Sequence, residues 1–192
     1  AHVGGDSWTE ILEAHGEIPV IGLTATPCKG NGKSLVGWEA IVEIASHAEL
    51  LCGSFLVPCR VYAPYSVDMS GGKRSSVTGD WSQPFVESRL DKQELVGDVV
   101  KHWKKLGGDR PTACFASGVA HSIHLCQEFQ RAGIPAAHLD AETPDEERQA
   151  AYNGIETGDI AVLCNFGVLV QGFDLPRLSC GIFAFATGSI VK

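Results

Sequence analysis

Basic residues and long apolar runs are scarce in this sequence. The 192 residues include 15 Lys and Arg against 23 Asp and Glu, a formal net charge of −8. Such a chain is not a general binder of polyanions, so any contact with nucleic acid must be local, through a few cationic side chains or backbone N–H groups. No apolar stretch approaches the roughly 20 residues of a membrane helix. Residues 1–5 also lack the basic and apolar regions of a signal peptide. We therefore expect a soluble, cytoplasmic protein without membrane contact.

Paired cysteine motifs are missing too. The seven cysteines are an odd number, none forms a C-x-x-C pair, and three lie in apolar, strand-like runs. This pattern is typical of buried, reduced thiols and not of a disulfide framework or a zinc site. His121 and His124 share a predicted helical face, but no carboxylate or thiolate stands at ligand spacing from them. No metal site is predicted.

Two glycine motifs that bind phosphate are absent. Residues 30–34 (Gly-Asn-Gly-Lys-Ser) resemble the end of a P-loop, but Pro27 stands where the first glycine is required. The loop therefore cannot present the same run of N–H groups to a phosphate. No G-x-G-x-x-G follows a predicted strand either, which disfavours a dinucleotide-binding enzyme.

The second half of the chain contains a regular alternation of elements. Apolar spacing predicts helices over 93–106, 119–132 and 143–152, and strands over 112–116, 135–139, 160–164 and 180–185. Thr143-Pro144-Asp145-Glu146 predicts a capped helix start. Strands that alternate with helices of this length indicate an α/β fold, with a parallel sheet covered by helices on both faces.

The first part of the chain shows no such regular alternation of helices and strands. We expect a helix over 7–14, a strand over 18–23, a helix over 35–51 that Gly53 closes, and a strand over 56–63. Residues 66–83 are rich in Ser, Gly and charge, which indicates a surface excursion or a linker.

The most informative stretch is 160–176. It begins with an apolar run short enough for a strand buried on both faces, and it then passes through a glycine-rich turn to Asp174 and Pro176. In open α/β sheets, ligands bind at the carboxyl ends of the strands. The alternative is an ordinary strand and turn whose Asp caps a helix.

Four motifs, in the expected order, resemble those of superfamily-2 helicases or translocases of the DEAD/DEAH-box-like kind. Ala1-His2 resembles the end of the Asp-Glu-Ala-His box, and Thr24-Ala25-Thr26 resembles motif III. Residues 113–117 (Ala-Cys-Phe-Ala-Ser) resemble motif IV, and residues 160–176, with Gly-Phe-Asp-Leu-Pro at 172–176, resemble motif V. The resemblance implies RecA-like lobes. Residues 1–53 would be the C-terminal remnant of the first lobe, and residues 54–192 would be the second lobe, truncated before motif VI.

The resemblance also implies roles for particular residues. Thr24, Ala25 and Thr26 would couple the nucleotide state to lobe closure, and His2 is the remnant of the box. Gly172 and Asp174 would contact the nucleotide. Contacts to DNA or RNA, as a single strand, would come from Ser117, Gly118, Arg148 and Gly167.

ATP and Mg²⁺ are the cofactors that the resemblance implies for the whole enzyme. The 192 residues include neither a P-loop lysine, nor the carboxylates of the box, nor the arginines of motif VI. We therefore expect this chain alone to be inactive as an ATPase. Two other interpretations stay open: a non-catalytic RecA-like binding module, and a Rossmann-like domain that binds a nucleotide sugar or cofactor through Gly172 and Asp174.

Overall fold

A computed structural model describes residues 6–16, 18–24, 37–63, 67–76, 79–169 and 174–187. Within these ranges six helices and four strands follow one another: α1 Asp6–Ala14, α2 His47–Cys52, α3 Gln83–Leu90, α4 Gln93–Leu106, β1 Thr112–Ala116, α5 Val119–Arg131, β2 Ala136–Leu139, α6 Asp145–Thr157, β3 Val162–Asn165 and β4 Cys180–Ala184. None of the described helices is both long and apolar enough to cross a membrane.

The four strands form one parallel sheet in the order β2-β3-β1-β4. β1 lies between β3 and β4, so that Cys114 is level with Cys164 on one side and Ile182 on the other. All four residues of β3 are buried, as expected for a strand covered on both faces. The predicted α/β fold with a parallel sheet is confirmed, and it is consistent with a RecA-like domain.

Helices cover both faces of the sheet. On one face, α4 and α5 pack on Cys114, Val162 and Cys164, with Phe129 fully buried among them. On the other face, α6 places Ile155 and Ala151 against Ala113 and Leu163. Alternate residues of the same strands therefore point into two separate apolar layers.

One buried polar contact fixes α4 on the sheet. The indole N–H of Trp103 donates to the hydroxyl of Thr112 at 2.7 Å, and this hydroxyl donates to the carbonyl of Arg110 at 2.6 Å. The Trp103 ring also meets Phe129 edge to face, with centroids 5.7 Å apart. A tryptophan in a core needs such a partner for its N–H group.

A second buried polar pair, Ser117 and His121, stabilises the turn between β1 and α5. The Ser117 backbone N–H donates to His121 Nδ1 at 3.3 Å, and the Ser117 hydroxyl lies 2.8 Å from the same nitrogen. Because the N–H can only donate, Nδ1 is an acceptor and the ring is neutral. Burial lowers the pKa of His121, while the Asp91 and Glu87 carboxylates act in the opposite direction.

By contact density the chain divides into two compact units: residues 1–63, 74–80 and 187–192, and residues 64–73 and 81–186. The sheet belongs to the second unit. In the first unit, α1 is confirmed, but the predicted strands over 18–23 and 56–63 are wrong, since the described residues there form no strand. Ile21 and Leu23 are 86% and 87% exposed. The predicted boundary after residue 53 stays a prediction.

The predicted helix over 35–51 is mostly wrong. Residues 37–46 are not helical, and only α2 forms, closed by Gly53 as expected. Ser46 and Glu49 cap one another through a capping box, which sets the start of this helix. Ile41 and Val42, which were predicted to lie on the apolar face of the longer helix, are exposed.

Two details of the second unit also differ from expectation. Helix α3 begins at Gln83, the last residue of the predicted surface excursion, with Pro84 in its first turn and Val86 and Leu90 buried. At the start of α6 no side chain caps the helix, because the Thr143 hydroxyl accepts from the Asp140 N–H at 2.9 Å instead.

The cysteine prediction is confirmed for part of the set. Cys114, Cys126 and Cys164 are buried free thiols and Cys180 is half-buried, whereas Cys52 and Cys59 are exposed. Cys28 lies outside the described residues.

Phe129→Ala should destabilise the second unit by about 3–5 kcal/mol, because it leaves a cavity between α4, α5 and the sheet. Urea unfolding measures the loss. Gln127→Ala, on the exposed face of the same helix, should change the unfolding free energy by less than about 0.5 kcal/mol. Equal effects of the two variants would contradict this packing.

The buried neutral His121 should make stability depend on pH. Its folded pKa is lowered from an unfolded value of about 6.5, so below that pH the unfolded chain binds more protons. Stability should then fall as the pH falls from about 6.5 towards the folded pKa, by at most about 1.4 kcal/mol per pH unit.

His121→Asn keeps an acceptor for Ser117 without a titrating group, and it should remove this slope in urea unfolding measured across pH. His15→Asn, at an exposed position, is the control and should leave it unchanged. An unchanged slope in His121→Asn would contradict the assignment.

Candidate functional site

The order of the strands places a crevice at the carboxyl edge of the sheet. From β1 the chain passes through α5 to the edge strand β2, beyond β3, whereas from β3 it passes to β4 on the other side of β1. The two neighbouring central strands therefore send the chain in opposite directions. In open α/β sheets this is the point where ligands bind.

We call the residues that follow the carboxyl end of a strand its exit. The exit of β1 contains Ser117 and Gly118. The Ser117 hydroxyl and N–H are both committed to His121. Gly118 is the buried N-cap of α5 with extended backbone, and the carboxylate of Glu87 lies so close that a Cβ at this position would clash with it. This exit is thus already occupied by side chains of the protein itself.

The exit of β3 is held by Asn165, whose side chain is buried. Its amide donates to the Cys114 carbonyl of β1 at 3.0 Å and accepts from the Leu169 N–H at 3.3 Å. Next to it, the Phe166 N–H donates to the Leu139 carbonyl at 3.2 Å. Gly167 follows at φ 76°, with open space where a Cβ would lie. This turn requires glycine because of its backbone conformation and leaves its backbone accessible.

The exit of β2 is a tight turn built around Asp140. Its Oδ1 accepts from the N–H groups of Glu142 and Thr143 at 2.9 and 3.0 Å, and its Oδ2 accepts from His138 Nε2 at 3.2 Å. The hydrogen bond from His138, followed by those from Thr143 and Glu142, lowers the pKa of Asp140 against the opposing effect of burial. Both oxygens of the Asp140 carboxylate therefore accept hydrogen bonds from groups of the protein.

Ser122, His138 and Asp140 form a hydrogen-bonded line with the residue types of a hydrolase triad. The Ser122 hydroxyl lies 2.8 Å from His138 Nδ1. Ser122 is fully buried, however, so no substrate can reach it. The line orients the β2 turn and is not a nucleophilic centre.

Arg148 reaches the same turn from α6. Its Nη2 donates to the carbonyls of Asp140 and Thr143 at 3.2 and 3.1 Å, while its Nε is buried without a hydrogen-bond partner among the described residues. The side chain therefore ties the β2 turn to the first turns of α6 and is not a solvated charge on an exposed face.

The three exits surround a cavity of about 300 Å³. The residues that line it are Val119, Asp140, Ala141, Glu142, Phe166 and Gly167. It thus collects the start of α5, the β2 turn and the β3 turn in one place.

The structure brings together Ser117, Gly118 and Gly167 at this edge, with Arg148 behind the β2 turn. Asp174 is exposed, in a segment after the described part of β3 and its turn, and Thr24 belongs to the other compact unit. His2, Ala25, Thr26 and Gly172 lie outside the described residues.

Asn165, Asp140 and Glu142 are site residues that the sequence motifs did not reveal. Asn165 is the one polar residue of β3, and a polar side chain that ends a buried run is a signal for such a role. The carboxylates after β2 could have been found from the rule that polar groups collect where parallel strands end.

Comparison with known proteins finds relatives over nearly the whole sequence. A 51.5 kDa protein of Lactococcus phage (isolate 7-9) is 31% identical over 191 residues, which are 99% of this chain and 42% of the phage protein. A Schizosaccharomyces pombe protein named as a mitochondrial ATP-dependent helicase, irc3, is 29% identical over 93% of this chain and 30% of its own length. A Saccharomyces cerevisiae protein named as an ATP-dependent helicase, IRC3, is 23% identical over 98% and 29%.

The chain spans less than half of the length of each of these relatives. Among solved structures, the Hef helicase domain of Pyrococcus furiosus matches 47% of this chain and 19% of its own chain, with a TM-score of 0.40 and 15% identity. No family model matches the sequence.

Two relatives named as ATP-dependent helicases align with more than nine-tenths of this chain, in which four segments resemble helicase motifs in the expected order. The resemblance predicted from the motifs is confirmed: the sequence is similar to proteins that are named as ATP-dependent helicases.

Proposed function

We propose that this chain supplies the second-lobe nucleic-acid contacts of an ATP-dependent helicase or translocase. The observation that carries the proposal is the crevice at the carboxyl edge between β1 and β3, where residues of motifs IV and V meet. The names of two relatives support the ATP-dependent helicase assignment. Residues 1–53 are then the remnant of lobe one, and residues 54–192 belong to lobe two.

A single strand of DNA or RNA is held mainly through its phosphates. Gly167 offers an exposed backbone in an open turn, so a phosphate can approach it closely. The first turn of α5 has N–H groups without helical partners, but the Glu87 carboxylate lies against Gly118. A phosphate that reaches this second point has to displace Glu87, and Gly167 is therefore the primary contact.

Arg148 contributes to the same contact indirectly. Its guanidinium holds the carbonyls of the β2 turn, which faces Gly167 across the cavity. Its charge adds a positive contribution behind a turn that otherwise carries Asp140 and Glu142. We therefore assign Arg148 as a positioning residue for the nucleic-acid surface.

The nucleotide side of the enzyme involves Asp174 and Gly172, and Thr24, Ala25 and Thr26 couple it to lobe closure. ATP with Mg²⁺ supplies the phosphoryl-transfer chemistry when both lobes are complete. Asp174 is exposed, and its carboxylate accepts no hydrogen bond from the part of the chain that the structure describes, so it can accept hydrogen bonds from a ribose. His2 would continue the Asp-Glu-Ala-His box.

The 192-residue chain should show no nucleic-acid-stimulated ATPase activity. Loss of an arginine finger alone costs about 10³ to 10⁵ in rate, and the P-loop lysine is missing from this sequence as well. A phosphate-release assay with and without single-stranded DNA measures this. Stimulated hydrolysis by the purified chain would overturn the assignment of its catalytic groups to other parts of the enzyme.

Gly167→Ala should weaken the binding of single-stranded oligonucleotides by about threefold to tenfold, because a methyl group obstructs one phosphate–amide hydrogen bond. Fluorescence anisotropy over a salt series measures it. The affinity should fall with salt, with a slope of about 0.7 for each phosphate neutralised.

Gly133→Ala is a matched control, because Gly133 has φ 75° and equally open space but lies between α5 and β2, away from the cavity. Both variants carry the same backbone strain, so only Gly167→Ala should lose affinity. If the wild-type chain binds no oligonucleotide at any salt concentration, a module for protein contacts becomes the better explanation.

A further inference from the structure

We propose that the cavity at the carboxyl edge receives one nucleobase of the bound strand, and that Glu142 selects bases that carry an exocyclic amine. This inference rests on the proposed function, since the strand that passes Gly167 delivers the base. It adds base preference to a contact that would otherwise be independent of sequence.

The walls of the cavity suit an aromatic ring. Phe166 and Val119 supply apolar surface from opposite exits, and Ala141 adds a small side chain between the carboxylates. Phe166 is half-buried, and its N–H donates to the Leu139 carbonyl, which fixes the backbone that carries the ring. Stacking of a base on such an aromatic side chain stabilises single-strand binding.

The size and position of the cavity also fit one base. Its volume of about 300 Å³ is at the lower end of small-ligand sites. Gly167 forms part of its rim, so a phosphate bound at this turn places the attached nucleoside at the cavity mouth. One strand can therefore use both features together.

The two carboxylates of the cavity are not equivalent. Asp140 already accepts hydrogen bonds from Glu142, Thr143 and His138, so its oxygens are committed to the turn. Glu142 is exposed, and its carboxylate accepts no hydrogen bond from the described residues. Glu142 is thus the acceptor that remains available to a ligand.

The negative charge of the cavity decides which part of a nucleotide can enter. Two carboxylates at the wall repel a phosphate and favour a group that only donates hydrogen bonds. An exocyclic amine, such as the N4 amine of cytosine, is a donor that carboxylates recognise. Uracil presents a carbonyl oxygen at the same ring position, which faces Glu142 unfavourably.

The test compares labelled oligodeoxycytidine and oligodeoxyuridine of equal length. Cytosine carries an amine at C4, where uracil carries a carbonyl oxygen. The wild-type chain should bind the cytidine oligomer about threefold to tenfold more tightly in fluorescence anisotropy. Glu142→Gln should reduce this preference towards one. Phe166→Leu should weaken both oligomers by at least about fivefold, because it removes the aromatic face but keeps an apolar side chain.

Glu146→Gln is the control for charge, since Glu146 is exposed in the first turn of α6 and does not line the cavity. It should raise the affinity for both oligomers equally and leave the preference intact. Amide chemical shifts of Glu142 and Gly167 with free deoxycytidine and deoxyuridine give a second readout, which does not require strand binding.

The outcomes separate the two proposals. Oligomer binding without base preference, with no shift at Glu142 on adding deoxycytidine, overturns the base site and leaves the proposed function standing. If neither oligomer binds, but free deoxycytidine shifts the Glu142 amide signal and deoxyuridine does not, the proposed function is overturned. This result supports a nucleobase site. A preference that persists in Glu142→Gln contradicts the role of Glu142.

Discussion

The parallel pairing of β1 with β3 is the interaction on which the second unit depends. These strands are the centre of the sheet, and their side chains enter both apolar layers, one under α4 and α5 and the other under α6. Because both faces are closed, their polar groups have to be satisfied within the protein. Asn165 does this at the edge of the pair, where it bonds the β1 backbone and the turn after β3. The same residue thus completes the core and shapes the start of the site.

The polar groups at the carboxyl edge serve the fold before they serve a ligand. Ser117 is bonded to His121, Asp140 to its own turn, and Arg148 to backbone carbonyls. Family motifs identify such residues by position, but their hydrogen bonds show that several act through neighbours. Among the described residues of the cavity, the Gly167 backbone, the Phe166 side chain and the Glu142 carboxylate stay open to a ligand. In the proposed function, an acidic chain would hold a strand in this way because it offers backbone and a cavity instead of a cationic surface.

The sequence predicted the sheet well and the first unit poorly, for one physical reason. Residues 162–165 and 112–116 form strands because partners for both edges and both faces lie within the chain. Residues 18–23 have a comparable apolar run, but the described residues offer them no strand to pair with. Periodicity measures how well a segment could be buried and does not reveal what would bury it. Asn165 was missed for a related reason, since its partner Cys114 is distant in sequence.

Helix α6 links two parts of the second unit that the motifs treat separately. In its first turns, Arg148 donates a hydrogen bond to the Asp140 carbonyl of the β2 turn. Near its end, the carbonyl of Glu156 accepts from Arg177, which lies just beyond the Asp174 segment. A helix of 13 residues is a rigid rod of about 20 Å. A displacement of the Asp174 segment would therefore move α6 as a rigid body and shift the β2 turn at the cavity. In the proposed enzyme, α6 would thus connect the nucleotide contact at Asp174 with the nucleic-acid contact at Gly167.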